Sequence, residues 1–249
     1  MKILITNDDG IDAEGLRKLA IEAVRFGEVW IVAPDGERSC ASHSLTIRPP
    51  LTVYPVECGI NGVHAYKCNG LPTDCVRIAA KCIMPSPPDV VFSGINNGFN
   101  AGTDIQYSAT VGAALDAAMF GFPVVAFSEG FLNDPRDRGN RAKVTEKYLP
   151  VVLDSLLGNL ECPMALTAGK VINVNFPDCP LSSCEGILWN RKLDMDTAYF
   201  DDYEVINELP GGGISYDIKW VDRTYGIPGS DMEALINGYV SVGFVNNLS

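Results

Sequence analysis

Asn7, Asp8 and Asp9 follow directly on the apolar run Ile3-Leu4-Ile5-Thr6, and Gly10 closes the stretch. Two adjacent carboxylates repel each other, and taking them out of water is costly unless a cation or hydrogen-bond donors compensate. Asn, Asp and Gly are also ordinary turn residues, so a solvated Asp-Gly turn is one reading of the stretch. The other is a divalent-cation site at the carboxyl end of the first strand of an α/β sheet. The remaining loops decide between them.

Three further loops carry comparable chemistry. "EVWIVAP" runs into "DGERSCASHS", with Asp35, Glu37, Arg38, Ser39, His43 and Ser44. "PDVVFSGINNGFN" delivers Asn96, Asn97 and Asn100, and "YSATVGAAL" places Tyr107, Ser108 and Thr110 where a helix begins. Each loop taken singly is an ordinary turn, surface or helix-cap sequence. In open α/β sheets, however, ligands bind beyond the carboxyl ends of the strands, near the point where strand order reverses, and all these loops fall there.

The donor types narrow the ligand. Carboxylates from Asp8 and Asp9, a hydroxyl from Ser39 and an amide oxygen from Asn96 are hard donors suited to one Mg²⁺ or Mn²⁺ per subunit. Mg²⁺ combines one or two carboxylates with waters and substrate phosphate, which points to phosphate chemistry. Ser108, Thr110 and the open N–H groups of a helix start, with Asn96, are the expected phosphate-binding groups. His43, one of only two histidines, is the expected group to protonate a leaving oxygen or to hydrogen-bond the phosphate. The bound cation would position or acidify a water for in-line attack; alternatively, Asp8 or Asp9 acts as nucleophile or base. The expected catalytic set is thus Asp8, Asp9 and His43.

The elements that must position these groups read as alternating strands and helices. "KILIT", "EVWIVAP", "PDVVFSGIN", "FPVVAFSE" and "KVINVNFP" are nearly continuous apolar runs, as parallel strands buried on both faces require. "AEGLRKLAIEAVRFG", "LPTDCVRIAAKCI", "TVGAALDAAMFG" and "AKVTEKYLPVVLDSLL" between them read as helices, with Thr73 or Asp74 the expected N-cap of the second. The prolines of "LTIRPPLTVYPV" confine that extended segment to an edge or a bend. The expected fold is a Rossmann-like, doubly wound, mostly parallel α/β core over residues 1–177. Residues 178–249 are expected to form a β-rich accessory or oligomerisation region, with strands flanking the glycine turn of "LPGGGISYDIKWVD" and a short helix and final strand in "SDMEALINGYVSVGF".

Bulk properties exclude several classes. A net charge of −12 over 249 residues opposes a nucleic-acid polymer as partner. No apolar run is long enough for a membrane span, and no leader pattern precedes the first strand, so a cytoplasmic location is expected. The eight cysteines contain no CxxC spacing and are expected to be mostly free thiols, not a disulfide or zinc framework.

At these residues the chain resembles the SurE family, survival protein E, the stationary-phase survival 5'/3'-nucleotidases. "ILITNDDGI", "VAPDGERSCASHS", "PDVVFSGINNGFNAG", "YSATVGAA" and "SDMEALINGYVSV" occur in the family's order across almost the whole chain. The resemblance implies a metal-dependent phosphomonoesterase acting on nucleoside 5'- and 3'-monophosphates, assembled as a homodimer or homotetramer through its C-terminal region. It places the metal ligands on Asp8, Asp9, Ser39 and Asn96, the set reached from donor chemistry. Two departures stand out: Ala109 where the family has Gly, expected to crowd the phosphate pocket or shift the helix start, and Leu71 where Thr is common.

Rival readings fit less well. A signalling receiver domain would need a phosphorylatable Asp after "VVFSG" and a Lys after "VVAFS", and neither is present. An aspartyl-nucleophile phosphatase would separate its two acids by one residue. A nucleotide-binding module without catalysis shares the loops and is separated from an enzyme by release of inorganic phosphate.

Overall fold

The computed structural model describes residues 1–130, 138–158 and 162–245. In chain order the elements are β1 (Lys2–Thr6), α1 (Glu14–Ala23), β2 (Glu28–Pro34), β3 (Val53–Val56), β4 (Val63–Cys68), α2 (Pro72–Ile78), β5 (Val90–Asn97) and α3 (Ala109–Met119). There follow β6 (Val124–Glu129), α4 (Arg138–Leu157), β7 (Val171–Phe176), β8 (Gly186–Arg191), β9 (Tyr199–Leu209), β10 (Gly213–Asp222), α5 (Asp231–Ile236) and β11 (Tyr239–Val245).

Among the described residues one nine-stranded sheet has the order β3-β4-β2-β1-β5-β6-β7-β11-β8. The strands from β4 to β7 run parallel. All of these but β4 are the nearly continuous apolar runs, and successive residues feed opposite faces. Ile3 and Ile5 pack with Leu16 and Leu19 of α1 and with Leu149 and Leu153 of α4. Leu4 and Val32 pack with Val76 of α2 and the alanines of α3 on the other side. Helices therefore cover both faces, as a doubly wound fold requires.

The prolines place β3 as expected. It is the outermost strand, paired only with β4, and Pro55 lies within it. The start of α2 differs from expectation: Leu71, not Thr73 or Asp74, occupies the N-cap. Asp74 sits three residues into the helix and its carboxylate accepts the Leu71 N–H at 2.9 Å, so the acid caps the helix from inside it.

Pairing turns antiparallel where β11 meets β7, and β8 then pairs parallel to β11. The segment after residue 177 thus contributes two strands to the central sheet, and only β9 and β10 form a separate antiparallel pair. That pair is tied down at its base. Arg223, just after β10, donates to Asp194 Oδ1 at 2.9 Å and to the Thr197 carbonyl at 3.1 Å. The Asp194 carboxylate also accepts the Ile227 N–H and the Ser230 hydroxyl, each at 2.8 Å. No helix among the described residues is long and apolar enough to cross a membrane.

Candidate active site

Strand order reverses between β1 and β5, because the chain goes outward from β1 through β2 to β4 and then returns to the other side of β1. Crevices of this kind hold ligands in open α/β sheets. Asp8 and Asp9 emerge from β1 at this crevice, and Asn96 and Asn97 end β5 beside them.

The turn at Asp8 is built by its neighbours. Asn7 is buried, donates from Nδ2 to the Gly10 carbonyl at 2.9 Å and accepts the Gly10 N–H at 3.2 Å. Gly10 has φ +100°, and a Cβ there would lie 3.1 Å from the Gly36 backbone, so glycine is needed both for the turn and for the close approach of two loops. The Arg38 N–H reaches the Asp8 carbonyl at 2.7 Å, which brings Ser39 into the same neighbourhood. From the other side the Asn97 N–H donates to Asp9 Oδ2 at 3.2 Å, which does the same for Asn96.

The third wall is the start of α3. Ser108 is its N-cap, and the hydroxyl oxygen accepts the Val111 N–H at 3.0 Å. The Thr110 hydroxyl donates to Asp8 Oδ1 in a short hydrogen bond. Its proton is thereby turned toward the acid, and the group Thr110 offers an anion is its backbone N–H, one of the open donors of the first helical turn. The Ser108 oxygen, acting as acceptor for Val111, keeps its own O–H proton to donate. Ala109 is fully buried and is the first residue of α3, directly after the Ser108 cap.

Electrostatics single out the acid pair. Asp8 is 3 % exposed. Burial drives its pKa up to about 7 against the opposing hydrogen bond from Thr110, with the charges of Asp9 and Glu37 adding to the rise. Asp9 is raised as well, by burial first and by Glu37 and Glu129, against the Asn97 N–H. Among the described residues no Lys, Arg or His forms an ion pair with either acid. Lys18 instead faces Glu14 at 3.4 Å and Glu129 at 3.5 Å, and Arg38 faces Asp35 at 2.6 Å.

The donor set fits a hard divalent ion. Asp8 and Asp9 each have one carboxylate oxygen engaged by the protein, on Thr110 and Asn97 respectively. Asn96 commits its amide nitrogen to the Gly98 carbonyl at 2.9 Å, which keeps its oxygen as an acceptor. Ser39 donates its proton to Glu37 Oε1 at 2.7 Å and keeps its lone pairs. Among the described residues no cluster of three or more His, Cys, Asp and Glu side chains stands ready for a metal. An ion here would therefore rest on two carboxylates and neutral oxygens, the shell that Mg²⁺ and Mn²⁺ accept with water or phosphate completing it.

His43 is reached through the same loop. The Ser42 N–H donates to the Tyr107 carbonyl at 3.0 Å and its hydroxyl to the Gln106 carbonyl at 2.6 Å, which lays residues 39–44 along α3. An open cleft there is lined by Ser42, His43, Gln106, Ser108 and Leu115. His43 Nε2 lies 3.2 Å from Asp116 Oδ1, leaving Nδ1 as the nitrogen that can meet a substrate.

Of the supporting groups, Asn100 was singled out in the sequence, whereas its partners Asn173 and Asn175 were not. Asn100 is buried and donates from Nδ2 to the Ser128 hydroxyl at 2.8 Å, while its backbone carbonyl accepts from Asn173 at 2.7 Å and from Asn175 at 3.0 Å. Asp116 and its partner Arg77 were not singled out either. The one legible signal for Asp116 was a lone acid in the small, apolar helix "ATVGAALDAAM", where a buried charge demands a partner.

Fold and site together define a doubly wound α/β protein with an oxygen-donor acid pair beneath an open helix N-terminus at the switch point. Comparison with known proteins narrows that class. A family model described as survival protein SurE matches residues 3–198. The 5'-nucleotidase SurE of Aeromonas hydrophila subsp. hydrophila is 38% identical over 97% of this chain and 90% of its own. The 5'/3'-nucleotidase SurE of Shigella dysenteriae serotype 1 is 37% identical over 97% and 88%. The crystal structure of the SurE protein from Aquifex aeolicus superposes with a TM-score of 0.80 at 29% identity, covering 100% of this chain and 95% of that one. The chain belongs to the SurE family.

Proposed function

We propose that the protein is a divalent-metal-dependent phosphomonoesterase that hydrolyses nucleoside 5'-monophosphates, and 3'-monophosphates as well, to nucleoside and inorganic phosphate. The observation that carries the reading is the pair of buried Asp8 and half-buried Asp9, both raised by desolvation and, among the described residues, without an ion-pairing cation, beneath an open helix terminus. The substrate class is supported by the relatives' names, 5'-nucleotidase and 5'/3'-nucleotidase.

Asp8, Asp9, Ser39 and Asn96 would hold one Mg²⁺ or Mn²⁺. When bound, such an ion neutralises phosphoryl charge and lowers the pKa of a water. The chain's own groups do the rest. The Ser108 hydroxyl and the N–H groups of Ala109 and Thr110 hold phosphoryl oxygens as charge redistributes over them. Water adds to phosphorus in line with the departing ribose oxygen, the phosphorus–oxygen ester bond breaks, and His43 Nδ1 supplies the proton that the ribose oxygen takes. The proton shed by the added water passes to solvent, from which His43 is reprotonated. Thr110 holds Asp8 in place through its hydroxyl.

The partner proposed for the β9–β10 pair is a second copy of the chain, giving a homodimer or homotetramer. Tyr203 opposes Ile218 and Val205 opposes Tyr216 on one face, and all four are exposed. An isolated two-stranded ribbon is marginal in water, and an exposed apolar patch of this kind marks an interface. The cytoplasm is the proposed compartment, supported by the absence of any disulfide among the described residues.

The activity is tested by incubating the full chain with AMP and measuring inorganic phosphate. Release is expected with Mg²⁺ or Mn²⁺, abolished by EDTA and restored by excess metal. Binding of AMP without phosphate release under any divalent ion would make the protein a nucleotide-binding module instead.

A further inference from the structure

Asp116 is the buried acid that this reaction scheme leaves without a task. It lies in α3, is 0% exposed, and accepts three hydrogen bonds from two other elements. Arg77 of α2 donates from Nε to Oδ2 at 2.9 Å and from Nη2 to Oδ1 at 2.7 Å, and His43 Nε2 meets the same Oδ1 at 3.2 Å. A carboxylate only accepts, so this contact requires the ring proton on Nε2 and leaves Nδ1 as the site that gains and loses a proton. Burial pushes the Asp116 carboxyl up, but the hydrogen bonds from His43 and Arg77 outweigh it and hold the group below its usual range. The acid is therefore the charged partner behind the imidazole.

We propose that Asp116 is a positioning residue: it fixes the tautomer and orientation of His43 so that Nδ1 faces the leaving oxygen, and Arg77 sets how strongly the acid attracts the ring proton. The inference rests on the reading of His43 as the proton donor. Other charged groups on the surrounding elements are Asp74 of α2, which accepts the Thr46 N–H of the His43 loop at 3.1 Å and 3.2 Å, and Lys81, which lies over the Phe120 ring beside Arg77. Neither displaces the contact between Asp116 and the imidazole. A carboxylate behind a histidine that works by proton transfer is a recurring arrangement, because the ring must present the correct nitrogen.

Leaving-group dependence separates this role from a structural one. AMP needs a proton on its ribose oxygen, whereas p-nitrophenyl phosphate expels a stable phenolate. Asp116→Asn is expected to lower kcat for AMP by about tenfold to a hundredfold with KM nearly unchanged, and to cost p-nitrophenyl phosphate far less. Arg77→Met, measured in parallel, removes a cation that opposes protonation of the ring. The alkaline limb of kcat for AMP is then expected to move to higher pH. Equal loss on both substrates, wild-type kcat in Asp116→Asn, or an unmoved limb in Arg77→Met would overturn the proposal. If Asp116→Asn fails to fold, the position of the Arg77→Met limb decides. His43→Gln distinguishes the two levels of failure. Full AMP turnover in that variant removes His43 itself from the scheme, whereas a slow His43→Gln beside a wild-type Asp116→Asn removes Asp116 alone.

Discussion

Asp8 carries the conflict on which the site is built. Its ordinary pKa is about 4, and its folded value of about 7 means that between those pH values the folded chain holds more protons than the unfolded one. Stability therefore falls as pH rises through that window, and above it the full cost of a buried charge is present. Asp8→Asn removes that charge. In EDTA its Tm is expected to exceed that of wild type by on the order of 5 °C at pH 8, and the difference should shrink toward pH 5. Calorimetry at the two pH values checks the sign. The same variant should lose metal-dependent phosphate release, so that stability and activity move in opposite directions. A residue was legible in the sequence where its environment was local: two acids after an apolar strand are conspicuous, and Ser108 before a helix announces a cap. For Asp116 the sequence offered only a lone acid in an apolar helix and not its partner, because His43 is 73 positions away and nothing local pairs them.

Loops become a site only because helices and strands bring them within contact. Gly112, in the first turns of α3, shows how little clearance that takes. A Cβ there would lie 2.4 Å from the Ser42 carbonyl oxygen and 2.9 Å from the His43 Cα, both backbone atoms that cannot swing aside. Gly112→Ala is expected to push residues 39–44 off α3, destabilising by about 1–3 kcal/mol and lowering kcat/KM for AMP at least tenfold. Kinetics and thermal melting together test this; a fully active, stable variant would show that the loop does not depend on that contact. The parallel strands and their helices were readable from continuous apolar runs and helical spacing. Helix boundaries were less so. Asp74 caps α2 from its third position and leaves the apolar Leu71 at the N-cap, an arrangement that residue preferences alone do not indicate.

At the scale of the whole molecule, the chain after residue 177 does two jobs. It closes the central sheet with β11 and β8, and it projects the β9–β10 pair from a base held by the fully buried Arg223–Asp194 ion pair. "YVSVGFV" was readable as a strand, but its antiparallel seat against β7 depends on pairing with a distant run and was not. If the projecting pair joins two copies, Val205→Glu with Ile218→Glu should sediment as a monomer at concentrations where wild type is a dimer or larger. A monomeric wild type would remove that role. The net charge of −12 is compatible with an anionic substrate only if the acid pair is locally reversed. The central claim is that a divalent ion does so. Anomalous diffraction from a crystal soaked in Mn²⁺ tests it most directly. The account predicts a peak about 2.0–2.3 Å from oxygens of Asp8, Asp9, Ser39 and Asn96, lost in Asp8→Asn. A wild-type map with no peak among those four residues would contradict it.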